Sequence, residues 1–323
     1  MTMARSWCVA PMVGYTDRHF RLLARLLSRH ALLYTEMTMP QAVLKGRRAA
    51  TTQDEGAVAL QLAGSDPGLL AEAAAAAEHL GYGEVNLNVG CPSPRVQQGF
   101  FGACLMREPA LVGRCVAAMV QATNLPVTIK TRLAVDDGTM AGMLLPLVAA
   151  VRDAGCATVI VHARNAWLAG LDPKANRTIP PLRHEDVHRL KALHPELTVI
   201  LNGGLVSMEQ CLEVAAGLDG VMVGRAAYHD LSLLARVDRD WFGAGLVPPL
   251  GKVLRAYVDY MRGQLEQGMP LAPMSRHLAG LFHGMSHARA RRAVLGDWQR
   301  LQEMAAGLCS VPWPFEMACE AVA

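Results

Sequence analysis

Several things are missing from this 323-residue chain, and each absence narrows what it can be. No apolar run is long enough to span a bilayer: the longest, residues 140–151, is broken by Gly142 and Pro146, so no membrane partner is expected. No apolar core precedes the first strand pattern, which argues against a secretory signal. The eight cysteines are scattered without a C-x-x-C pair, a spacing that suits neither a zinc site nor a disulfide framework. We therefore expect no metal, reduced thiols and a cytoplasmic location. No G-x-G-x-x-G occurs, so the dinucleotide fingerprint of a doubly wound sheet is absent. The net charge of +3 is too small to announce a nucleic-acid partner by itself.

What is present is a regular alternation. Strand patterns fall at residues 7–10, 32–35, 58–62, 84–89, 127–131, 158–162, 198–202 and 220–223. Helical patterns lie between most of them, at 16–29, 67–80, 108–122, 139–154, 184–193 and 207–216. Asp66 before Pro67 and Ser207 before Met208 are helix-start signals. Eight strands alternating with helices predict an α/β chain folded as a (β/α)8 TIM barrel, with a doubly wound sheet as the alternative.

After residue 243 the pattern is helical only, so we divide the chain into a barrel over 1–243 and a small C-terminal helical bundle over 244–323. Within the latter, Arg276, Arg289, Arg291, Arg292 and Arg300 are opposed in sequence only by Asp297. That run is either a solvated helix face or a phosphate-binding surface.

In such a barrel, chemistry collects at the carboxyl ends of the strands. Those ends carry Pro11 and Met12, Gln61, Asn86 and Asn88 with Cys91 on the following loop, Lys130 and Arg132, His162 and Arg164, Asn202-Gly203-Gly204, and Gly224-Arg225. Glycines after strand seven and Gly-Arg after strand eight form the usual barrel phosphate site; alone, either would be only a turn. A lysine ending a central strand requires an anionic partner, and a phosphate-bearing flavin provides one beside Lys130, with Gln61 on its polar rim. His162 is either a hydrogen-bonded core histidine or a phosphate or ribityl contact. Cys91 sits on a Pro/Gly-constrained loop with no histidine partnered to it in sequence, which favours a proton donor over a nucleophile.

With these residues in place, the chain resembles the tRNA-dihydrouridine synthases over nearly its whole length. The resemblance is carried by APMVGYTDRHFR (10–21), LLYTEM (32–37), ALQLAGSDP (59–67), EVNLNVGCPSPRVQQGFFGACLM (84–106), VTIKTR (127–132), VHARNAWLAGL (161–171), NGGL (202–205) and DGVMVGRAAY (219–228). The stretches 162–182 and RHLAGLFHG (276–284) are most similar to the A-type subfamily, whose members act on uridines 20 and 20a of the D-loop.

The resemblance implies FMN held by Pro11, Met12, Val13, Gln61, Lys130, His162, Asn202, Gly203, Gly204, Gly224 and Arg225, with NADPH as its transient reductant. It implies reduction of the C5–C6 bond of a flipped tRNA uridine, with hydride from flavin N5 reaching C6 and a proton from Cys91 reaching C5. Asn88 and Arg177 would hold the uracil, Lys174 lies in the same loop as Arg177, and Arg289 and Arg292 would meet tRNA phosphates. A monomer is expected. Two other readings stand beside this one: an FMN barrel reducing a free pyrimidine in the manner of a dihydroorotate dehydrogenase, and a non-catalytic RNA-binding barrel.

Overall fold

Eight parallel strands close on themselves in the computed structural model, which describes residues 7–46, 55–308 and 313. They are β1 (Trp7–Val9), β2 (Leu32–Tyr34), β3 (Val58–Leu62), β4 (Glu84–Val89), β5 (Val127–Arg132), β6 (Thr158–His162), β7 (Thr198–Asn202) and β8 (Gly220–Val223). β8 returns to β1, with Cys8 opposite Met222, so the sheet is a TIM barrel without an edge. Five of the strands end where the sequence pattern places them; β1 and β2 are one residue shorter and β5 one longer. Cys309 and Cys319, with the end of the expected helical unit, lie outside the described residues.

Helices cover the outer face in chain order. The helix Pro67–His79 starts where Asp66 accepts the Leu69 amide at 2.9 Å and proline fills the first position. Its buried stripe is Leu70, Ala73, Ala74 and Ala77, small enough for close packing against the helix Pro109–Ala122. The single helix expected over 139–154 is instead a π turn, Met140–Leu144, running into an α-helix, Leu145–Asp153. Pro146 is the cause, because it has no N–H with which to continue an i→i−4 ladder.

The barrel interior is divided by chemistry. Cys8, Ala10, Leu32, Tyr34, Ala59, Ile160, Ile200 and Met222 form one buried apolar cluster. Between the walls of β3, β4 and β5 the interior is instead polar, with Gln61, Glu84, Asn86, Asn88 and Thr128 all buried. In the parallel register Gln61 lies opposite Asn86, Asn86 opposite Thr128, and Asn88 opposite Lys130. This polar column leads to the rim.

Three short elements after β8 have no counterpart in the sequence pattern: Arg225–His229, Leu231–Arg236 and the π turn Val237–Trp241. The long helix Leu250–Glu266 then packs on Arg18–Leu27 and on Trp298–Gly307, burying Val253, Leu254, Tyr257 and Val258. Asp17 ties the C-terminal helices to the barrel. It caps Arg18–Leu27, accepts from Arg276 at 2.5 Å, and pairs with the fully buried His277 at 3.0 Å. Arg276 therefore faces a carboxylate 259 positions away, a partner that the local sequence did not disclose.

Among the described residues no helix is long and apolar enough to cross a membrane, and no group of three or more His, Cys, Asp or Glu is arranged to hold a metal ion.

Candidate active site

The carboxyl ends of β4, β5 and β6 bring Cys91, Lys130 and His162 to one rim. Cys91 is half-buried on a loop whose backbone is fixed by Asn88: the side-chain oxygen of Asn88 accepts the Gly90 amide at 3.2 Å and the Cys91 amide at 3.0 Å. The Cys91 carbonyl in turn accepts the Ala103 amide at 2.9 Å. Gly102, at φ +78°, permits that closure, since a Cβ there would meet the Cys91 carbonyl oxygen at 2.6 Å. The loop is not irregular throughout, because Pro94–Gln98 is a short helix inside it. From that helix Gln97 donates to the carbonyls of Pro92 and Leu168, joining the loops that follow β4 and β6.

Cations dominate the electrostatics of the rim. Burial first, then Arg132, pushes the Lys130 ammonium down to about 7 from its ordinary 10.5, with Cys91 opposing. Burial and then the cations Arg132, Lys130, Arg164 and Arg177 hold His162 well below its ordinary range, so its imidazole is neutral at neutral pH. Its buried Nδ1 has no hydrogen-bond partner among the described residues. Arg177 is likewise lowered, by partial desolvation and then by Arg225, with Cys91, Tyr15 and Asp172 opposing. No carboxylate among the described residues pairs with Lys130, so the rim favours an anion.

Arg132, also lowered by burial, is itself a brace: it donates to the carbonyls of Gly90, Asn165 and Asn176, the last at 3.0 Å. Arg164 donates to the Pro180 carbonyl.

The glycine turns have steric reasons. Gly203 is at φ +110°, and a Cβ there would meet the His162 ring at 3.2 Å. Gly204 is at φ +78°, and a Cβ there would meet Leu182 at 2.4 Å. His184 approaches the Gly203 carbonyl at 2.8 Å and holds the turn. Gly224 opens the last turn, where an added Cβ would meet Met12 only at 3.7 Å, and Arg225 after it is exposed. Bare backbone, a neutral imidazole whose Nδ1 has no partner among the described residues, and a cluster of cations fit the phosphate and polar ring of a flavin nucleotide.

The remaining expected contacts are placed as follows. Pro11 and Met12 are half-buried, while Val13 is 64% exposed on the turn after β1. Gln61 is buried and donates to Asn86 at 2.8 Å. Asn202 donates one N–H to the Met222 carbonyl at 2.6 Å, leaving its other N–H and its side-chain oxygen for a ligand. Asn88 spends its oxygen on the Cys91 loop and one N–H on Gln61 at 3.0 Å, leaving one N–H for a ligand.

Lys174 and Arg177 are exposed on the loop after β6, in and beside the 3-10 turn Ala175–Arg177. That loop is pinned by Asn176, fully buried, which accepts the Trp167 amide at 2.7 Å and donates to the carbonyls of Trp167 and Leu171. Sequence reading missed Asn176; its position in a polar loop carries no periodic signal. Arg289 and Arg292 are exposed on the helix Ala288–Ala293, and Arg292 donates to the Ala279 carbonyl at 3.2 Å.

Known proteins share this chain's sequence and its barrel. Residues 8–311 match the family described as "Dihydrouridine synthase (Dus)". The chain is 52% identical over 292 residues to the "tRNA-dihydrouridine(20/20a) synthase" of Xanthomonas axonopodis pv. citri (strain 306), covering 90% of this chain and 87% of that protein. It is 48% identical over 294 residues to the protein of the same name from Escherichia coli (strain K12), covering 90% and 85%. Among solved structures, a "Morphinone reductase" superposes with a TM-score of 0.50 at 13% identity, over 76% of this chain and 87% of that one, a likeness of fold.

Proposed function

The chain belongs to the dihydrouridine synthase family, and from that premise we propose how its rim reduces a tRNA uridine. It is a flavin-dependent tRNA-dihydrouridine synthase. The flavin is FMN, the reductant NADPH, and the substrate a D-loop uridine, at positions 20 and 20a as the names of its relatives indicate. Residues 1–243 carry the chemistry and 244–323 contact tRNA.

When bound, FMN reduced by NADPH supplies hydride to C6 of the uracil. Lys130 would hold the polar edge of the ring, with Gln61 beside it. Backbone N–H groups at Gly203 and Gly204, with Gly224 and Arg225, would hold the phosphate, while Pro11, Met12 and Val13 would border the ring. His162 offers Nδ1 to the ribityl chain or phosphate. Asn202, with one N–H joining β7 to β8, would offer its other N–H and its side-chain oxygen to the flavin. Cys91 gives its thiol proton to C5, so that one hydride and one proton add across the double bond. The thiolate left behind lies in the field of Lys130, Arg132 and Arg177. Asn88 with its remaining N–H, and Arg177, hold the uracil. Lys174, Arg289 and Arg292 meet backbone phosphates.

The observation that carries this reading is the convergence of Cys91 with Lys130, Arg132 and Arg177, cations that also hold His162 neutral while its buried Nδ1 has no partner among the described residues. The test is purified protein with NADPH and unmodified tRNA. Flavin absorbance and dihydrouridine at D-loop positions are expected; comparable turnover of free uridine would refute the tRNA assignment.

A further inference from the structure

A chain of hydrogen bonds crosses the barrel interior from its floor to the Cys91 loop, and its direction is fixed from the rim. At the rim, the Gly90 and Cys91 amides can only donate, so the Asn88 oxygen must accept them. The Asn88 amide nitrogen then donates to the Gln61 oxygen at 3.0 Å. The Gln61 nitrogen donates to the Asn86 oxygen at 2.8 Å, and the Asn86 nitrogen to the Thr128 hydroxyl at 2.8 Å. That hydroxyl proton must therefore go elsewhere, and it goes to Oε1 of Glu84 at 2.6 Å, which also accepts the Tyr34 hydroxyl at 2.7 Å. Glu84, Asn86, Gln61 and Thr128 are each 1% exposed or less. These groups are shut off from bulk solvent, and each one left unpaired would retain its desolvation penalty.

We propose that Glu84 and Thr128, at the start of β4 and in β5, are positioning residues that set the rotation of three buried amides and through them hold Cys91 in place to donate its proton. At the foot of the chain Oε1 of Glu84 accepts from both the Thr128 and the Tyr34 hydroxyls. An amide there brings an N–H of its own and permits the opposite polarity, which would aim an NH2 group of Asn88 at the Gly90 and Cys91 amides. The loop would then lose both bonds. Glu84 therefore acts on the rim from the barrel floor without touching a ligand. This inference rests on Cys91 as the proton donor.

The test compares Thr128→Val, Thr128→Ser and Glu84→Gln in the full-length flavin-bound protein, with Cys91→Ala alongside. Thr128→Val is nearly isosteric and removes only the relay hydroxyl, whereas Thr128→Ser keeps it. We expect Thr128→Val and Glu84→Gln to speed hydrogen exchange at the Gly90 and Cys91 amides by about tenfold or more. We expect kcat for tRNA reduction to fall about tenfold while KM for tRNA stays within about twofold, with Thr128→Ser matching wild type in both. Wild-type exchange in Thr128→Val, or equal impairment by Thr128→Ser, would overturn the proposal, the latter by making the effect one of packing. Should Glu84→Gln fail to fold, the two Thr128 variants decide the matter by themselves. Full activity of Cys91→Ala would remove Cys91 as donor, while the exchange measurement would still decide whether the chain holds the loop.

Discussion

The Cys91 amide donates to the side-chain oxygen of Asn88 at 3.0 Å, so the thiol's place on the rim is set by a side chain of the preceding strand. That strand is in turn fixed by its neighbours, through Gln61 on β3 and Thr128 on β5. The site is thus built on the barrel wall, with the Pro/Gly loop closed over it by Gly102. A reactive group carried this way is held more precisely than one on a free loop.

On the proposed function, Lys130 should give flavin binding a pH dependence. Its ammonium is held down to about 7, mainly by burial, and an anionic ligand binds the charged form. FMN affinity of the apoprotein should weaken between about pH 7 and 9, by at most about tenfold per unit. Thermal stability of the ligand-free protein should change oppositely. The unfolded chain, with Lys130 near its ordinary 10.5, holds more protons in that window, so this group favours folding as pH rises. Lys130→Met should flatten both curves in fluorescence titration and thermal melts.

Asn176 should prove structural at its own position and functional at a distance. Asn176→Ala removes its side-chain bonds to Trp167 and Leu171, which should cost about 1–3 kcal/mol. Because the same turn carries Arg177, KM for tRNA should rise while FMN affinity is retained. A melting curve and a tRNA titration check the two effects.

Arg289 and Arg292 are exposed, and among the described residues neither pairs with a carboxylate as Arg276 does with Asp17. Changing both to Ala should lower the salt slope of tRNA binding by about 0.7–0.9 for each phosphate the pair neutralises. Reduction of the bound flavin by NADPH should be unchanged. An unaltered slope would assign this helix to a solvated face.

Much of this was legible because a buried parallel strand imposes a simple pattern. Val58–Leu62, Glu84–Val89 and Thr158–His162 fall where alternation and apolar runs place them, and the strand ends alone collect Cys91, Lys130 and His162. Relations between strands were not legible. The polar column from Glu84 to Asn88 depends on register, which pairs Asn86 with Thr128 across 42 positions, and no periodicity encodes that pairing. Asp17 and Arg276, 259 positions apart, are the same case at the level of whole elements. The short helix Pro94–Gln98 was hidden for a different reason: Ser93-Pro94 is a valid start signal, but Gly99 stops the element after five residues.

Single-turnover reduction of tRNA by Cys91→Ala tests most directly whether Cys91 gives the proton. The variant should bind FMN and accept electrons from NADPH at wild-type rates. Its formation of dihydrouridine in tRNA should fall by about 100-fold or more, the scale of removing a general acid. Dihydrouridine formed at the wild-type rate would contradict the account.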